Sequence, residues 1–249
     1  MTPVRLLLLA HGSRDPRHAA TVTELVARVR GLRPGLEVDA AYLDHCAPRI
    51  PRALAVSDAP VVAVPLLLAR AFHATSDIPG VLRDASARLP RLTIRQADVL
   101  GPSPLLLDAL DRRLAEAGVR PSPDTGIVLA AAGSSDARAN AVTRAVAAAY
   151  ARTRGWGGVE VAHASAAPPR VADAVAALRA RGIAAHRIAV APYLLAPGLL
   201  PDRITTQAHA AGVLTVAQPL GPAPELARLV LHRFDATLAD TTTPLPLTA

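Results

Sequence analysis

The chain has 249 residues, a hydrophobic fraction of 51%, and a formal charge of +7 in which every one of the 27 basic residues is Arg and none is Lys. That length and apolar content suffice for the core of one large or two ordinary domains, and the lack of Lys excludes a Schiff-base lysine, a P-loop lysine and a lysine general base. One cysteine excludes an internal disulfide and an all-cysteine metal or iron–sulfur site, and aromatics at 2% leave no surface on which nucleic-acid bases could stack.

The first element is "VRLLLLA" (4–10), a short apolar run that reads as a buried strand, and it leads into the amphipathic helical stretch "ATVTELVARVRGL" (20–32). Strand patterns recur in "LEVDAAYL" (36–43), "PVVAVPLLL" (60–68) and "RLTIRQADVL" (91–100), with the helical "IPGVLRDASARL" (78–89) before the last. Strand alternating with helix predicts parallel βαβ units. A Pro-rich stretch, "GVRPSPDTG" (118–126), then reads as a linker.

The chain after the linker repeats the chain before it. "LLLLAHGSRDPR" (6–17) aligns without gaps on "IVLAAAGSSDAR" (127–138), and nearly the same offset sets "APRIPRAL" (47–54) on "APPRVADAV" (167–175). After a six-residue insertion, "VAVPLLLA" (62–69) matches "AVAPYLLA" (189–196). The expectation is an α/β chain of two duplicated Rossmann-like lobes, 1–120 and 121–249, each a mostly parallel four-stranded sheet flanked by helices. The positive charge is scattered as single Arg residues, so a small polyanionic ligand is expected rather than nucleic acid. No apolar run reaches the ~18 to 20 residues of a membrane span, and Leu6 to Ala10 is short for a signal-peptide core. A cytoplasmic monomer with no membrane partner is the corresponding expectation.

Ligands of parallel α/β sheets bind at the carboxyl ends of the strands. His11 comes directly after the first strand, Asp44 ends the second, and His73 lies beyond the third, so all three are expected at one edge of one sheet. Two imidazoles and a carboxylate there would make a divalent transition-metal site or a set of bases for proton abstraction. Ala132 and Leu200 replace the histidines in the second copy, as expected of residues with a task done once. Ser13, kept as Ser134, is expected to shape the turn, although it could also donate to a ligand; Asp77 could orient the His73 imidazole four residues before it or cap the helix that has Pro79 in its first turn, and the cap is preferred. His18, His45 and Cys46 are weaker candidates, and His163, His186, His209 and His232 read as packing or surface positions.

"LLAHGSRDP", "AYLDHCAPRIPRAL" and "VPLLLARAFHATSDIP" resemble the corresponding segments of the small class II sirohydrochlorin chelatases, which include the cobaltochelatase of anaerobic cobalamin synthesis and the siroheme ferrochelatase. The resemblance implies ATP-independent insertion of Fe²⁺ or Co²⁺ into sirohydrochlorin, with the metal as substrate and no permanently bound cofactor. It assigns His11 and His73 to metal binding and to removal of pyrrole protons, and it places Asp44 where the family usually has Glu, one methylene longer. Sirohydrochlorin is a polycarboxylate, for which Arg14, Arg17 and Arg70 are the nearest guanidinium partners. The rival readings are a tetrapyrrole or metal carrier with the same ligands and a histidine phosphohydrolase. The latter is disfavoured because Ala10, not Arg, precedes His11.

Overall fold

The computed structural model describes residues 3–69 and 77–240. β1 (Arg5–Ala10) is buried along its whole length. A strand apolar on both faces must lie inside its sheet with helices over each side. β1 accordingly pairs in parallel with β2 (Val38–Tyr42) and β3 (Val61–Pro65), and β4 (Ile94–Gln96) extends the sheet to the order β2-β1-β3-β4. Alternate residues face opposite sides. Leu7 and Leu9 join Ile50 of α2 (Ile50–Leu54) and Ile78 and Leu82 of α3 (Ile78–Arg88) in one apolar cluster.

α1 (Pro16–Leu32) starts where the Asp15 carboxylate accepts the Arg17 N–H at 2.9 Å, with Pro16 in the first turn. Its buried residues Val22, Leu25, Val26 and Val29 recur at helical spacing and form one apolar stripe.

The second sheet repeats the first. β5 (Gly126–Ala131) lies between β6 (Gly158–His163) and β7 (Ile188–Pro192), β8 (Thr215–Val216) is the outer strand, and all pairs are parallel. α5 (Ala137–Arg154), α6 (Val171–Ala180) and α7 (Leu199–Ala210) belong to it. The expected pair of four-stranded α/β units is therefore present, and both sheets are wholly parallel.

The turns are duplicated as closely as the strands. Gly12 and Gly133 have φ of 92° and 82°, and a Cβ on either would lie 1.7 Å from the Asp44 carbonyl oxygen or 2.2 Å from that of Ser165. Only glycine fits, on both steric and conformational grounds. His45 and Ala166 take positive φ at matching places, 61° and 64°. These features recur whether or not a histidine ends the strand, so they belong to the scaffold.

The compact units do not divide at residue 120. One comprises the residues up to Gly101 together with Pro222 and the helix after it, α8 (Pro224–Ala239); the other runs from Pro102 to Gly221 and includes α4 (Pro104–Glu116). The reason is a reciprocal exchange of helices. α4 buries Leu106, Leu110 and Leu114 in the second unit, where Asp111 accepts from the Tyr150 hydroxyl at 2.5 Å and from Arg154 Nε at 2.6 Å. α8 packs on α1 and β3 in the first unit, and Asp235 accepts from both Nη atoms of Arg33 at 2.5 and 2.8 Å. Two arginines at matching places fasten the exchanged helices. Arg233 donates to the carbonyls of Val99 and Leu100 at 2.8 and 3.1 Å, and Arg113 donates twice to the Leu220 carbonyl at 3.1 and 3.0 Å. The Pro-rich stretch near 120 thus joins a helix to a strand within one unit. Among the described residues no helix is long and apolar enough to cross a membrane.

Candidate active site

At the carboxyl end of the first sheet, β1 and β2 end side by side. The Leu43 N–H donates to the Ala10 carbonyl at 3.0 Å and the Asp44 N–H to the His11 carbonyl at 2.8 Å, so the backbone fixes His11 beside Asp44. A cavity of about 490 Å³ opens there, lined by His11, Leu43, Asp44, Asp77, Gly80 and Val81. It brings together the first imidazole and the carboxylate that the sequence placed at this edge. His73 and Arg70, the other expected ligands of metal and substrate, lie outside the described residues.

The Asp44 carboxylate is already held. Its Oδ1 accepts the His45 N–H at 2.8 Å and Arg49 Nη2 at 2.7 Å, and the His45 ring Nε2 stands 3.5 Å from Oδ2. These donors, the His45 amide first and Arg49 second, hold the carboxyl below the usual aspartate range. Arg49 is held in turn by the Leu43 carbonyl at 2.5 Å. Sequence reasoning missed this pairing because Asp44 and Arg49 stand five residues apart in an irregular loop, where no helix or strand spacing brings side chains together.

Asp77 is corrected by the structure. It precedes α3, and a proline does stand in the first turn, but the side chain makes no capping hydrogen bond. The backbone explains why: φ −70° and ψ −52° are helical angles, whereas a capping residue is extended so that its side chain can turn back onto the helix amides. Asp77 lines the cavity instead.

The turn residues behave as the duplication suggests. Ser13 Oγ accepts the Asp15 N–H at 3.0 Å, and Ser134 Oγ accepts the Asp136 N–H at the same distance. Cys46 is a free thiol that donates to the Ser13 carbonyl at 3.1 Å while its sulfur accepts the Ser13 N–H at 3.5 Å. In the second copy Asn140 makes the equivalent pair of bonds to Ser134, at 3.0 and 2.7 Å. Arg14 is exposed, and Arg17 turns back onto Asp15 at 2.6 Å.

His18, in the first turn of α1, packs its ring against Tyr42 with centroids 6.4 Å apart. Burial first, then the neighbouring His11 charge, lowers its pKa and favours the neutral ring. His163 is fully buried, with Nδ1 3.0 Å from the Pro168 carbonyl, a packing position as expected. At the place of Asp44 the second copy has Ser165, whose hydroxyl bonds the Ala132 carbonyl at 3.1 Å. Among the described residues no three His, Cys, Asp or Glu side chains converge as a metal-holding group.

A duplicated parallel α/β unit, with an imidazole and carboxylates at one strand edge of its first copy, is a chelatase-like fold. The sequence profile of the CbiX family matches residues 5–117 and 126–237, once in each repeat, and the chain belongs to that family. It is similar to the sirohydrochlorin ferrochelatase of Priestia megaterium, with 24% identity over 245 residues, 94% of this chain and 90% of that protein. The sirohydrochlorin cobaltochelatase of Methanococcoides burtonii is 29% identical over 125 residues, 45% of this chain and 95% of that protein. Among solved structures, SirB from Bacillus subtilis with Fe³⁺ shares the fold with a TM-score of 0.82 at 21% identity, covering 96% of this chain and 97% of that one.

Proposed function

We propose that this protein is an ATP-independent chelatase that inserts Fe²⁺ or Co²⁺ into sirohydrochlorin. The observation that carries the reading is the cavity lined by His11 and Asp44 at the carboxyl end of the first sheet, in a chain of the CbiX family. Neutral imidazole is a good ligand for either ion. Insertion also releases two N–H protons from the macrocycle, so groups that hold metal and groups that take protons must share one space.

The roles divide by chemistry. His11 holds the incoming metal, and His73 is assigned the same task from the sequence. Asp44, kept ionised by the His45 amide and Arg49, is assigned as the carboxylate beside the metal, its charge largely balanced by Arg49. Arg14 and Arg70 are assigned to the substrate's carboxylates, and Ser13 to fixing the turn that carries His11.

The test is the anaerobic absorbance spectrum of sirohydrochlorin mixed with Co²⁺ or Fe²⁺, with and without the protein. Protein-dependent conversion to the metallated spectrum is expected, and the two rates rank the metals. A bound but unmetallated spectrum would make the protein a carrier.

A further inference from the structure

Arg49 stands beside Leu43 and Asp44, both of which line the cavity at the carboxyl end of the first sheet. Its Nη1 donates to the Leu43 carbonyl at 2.5 Å, its Nη2 lies 2.7 Å from Asp44 Oδ1, and 50% of the side chain is open to solvent. The two contacts fix the plane of the guanidinium. They leave its other N–H donors, Nε among them, without an acceptor among the described residues. The second copy separates the two contacts. Its matching Arg170 also donates to a carbonyl at the end of a strand, that of His163 at 3.4 Å, but Ser165 stands where the first copy has Asp44. The carbonyl contact therefore belongs to the scaffold, and the guanidinium clamped to a carboxylate beside a cavity belongs to the first copy.

We propose that Arg49 anchors the substrate by binding one carboxylate of the tetrapyrrole at the edge of the cavity, a proposal that rests on the chelatase reading above. A guanidinium already held by a carbonyl and a carboxylate has lost its rotamer freedom before the substrate arrives, so little more is lost on binding. Its uncommitted N–H donors form charge-assisted hydrogen bonds to the incoming carboxylate while Nη2 keeps Asp44, and one guanidinium serves both anions. The anchored carboxylate then lies next to Asp44, whose N–H is bonded to the His11 carbonyl at 2.8 Å. Arg49 thereby holds the rim of the macrocycle at the side of the cavity where His11 stands.

The experiment titrates metal-free sirohydrochlorin into the full-length chain and into Arg49→Gln, Arg49→Lys, Asp44→Asn and Arg170→Gln, reading Kd by absorbance and Tm on the same preparations. Arg49→Gln should weaken binding about 10-fold or more, the scale of a hydrogen bond to a charged group. Arg49→Lys should recover part of the loss, because it restores the charge without the fork. Asp44→Asn should bind at least as tightly as wild type, since it keeps the guanidinium and removes the competing anion. Arg170→Gln should bind as wild type does. Wild-type affinity in Arg49→Gln would overturn the proposal. So would an equal loss in Asp44→Asn, which would make Arg49 act only through Asp44, or a loss that tracks Tm in both Arg49 variants. Each of these leaves the chelatase reading standing, whereas a wild-type chain that binds no sirohydrochlorin would overturn both.

Discussion

The loops at 11–15 and 43–49 in the first lobe and at 132–136 and 164–170 in the second share one backbone. Both have a left-handed glycine pressed on a carbonyl, a left-handed non-glycine residue, and an Asp that starts the next helix. Their side chains differ. His11 and Asp44 line a cavity in one, where Ala132 and Ser165 stand in the other. Loop geometry is therefore a property of the duplicated scaffold, and the imidazole and carboxylate stand on it in one copy only.

The largest expected effect separates the two copies by activity. His11→Ala makes the first lobe resemble the second, and metallation should fall at least about 100-fold while Tm changes by less than a few degrees. Steady-state rates and a thermal melt on the same preparation check this.

The glycines should behave alike in both lobes. Gly12→Ala and Gly133→Ala each force a Cβ against a carbonyl in a backbone that L-residues avoid, and each should cost at least about 2 kcal/mol in denaturant unfolding. A large loss in one lobe and none in the other would break the equivalence of the turns.

The arginines that fasten the exchanged helices come next. Arg113→Ala and Arg233→Ala each remove two charge-assisted bonds to loop carbonyls and should each cost about 2 kcal/mol, measurable by urea unfolding. The smallest effect is at Asp235→Asn on α8, where an exposed ion pair is worth only about 0.5 kcal/mol. Arg33 holds the Asp235 carboxyl below its ordinary range, so this contribution is complete above the unfolded aspartate pKa of about 3.9 and is lost as pH falls through the lower folded value. The difference between wild type and Asp235→Asn should vanish on acidification.

The sheets were legible because β1 and β5 are uninterrupted apolar runs and because the repeat aligns them without gaps. The exchange of α4 and α8 was not, since both helices carry an apolar stripe that either sheet could accept and nothing local names the sheet. Proline at 121 and 123 marks a chain reversal, and a reversal is the same signal inside a unit as between units. At the site, His11 could be placed because a strand end is a position in sequence. The pairing of Asp44 with Arg49 and the non-capping Asp77 could not, because the first is made within an irregular loop and the second turns on the Asp77 dihedral angles, which sequence patterns average over.

We propose that metal is handled in the first lobe alone. Imidazole resonances of the eight histidines, tracked by NMR as paramagnetic Co²⁺ is titrated into the full-length chain, test it most directly. His11 and His73, the residues assigned to the metal, are expected to broaden first, and His18 beside His11 with them, while the buried His163 of the second repeat is unmoved. Broadening at His163 before His11, or none at His11, would contradict it.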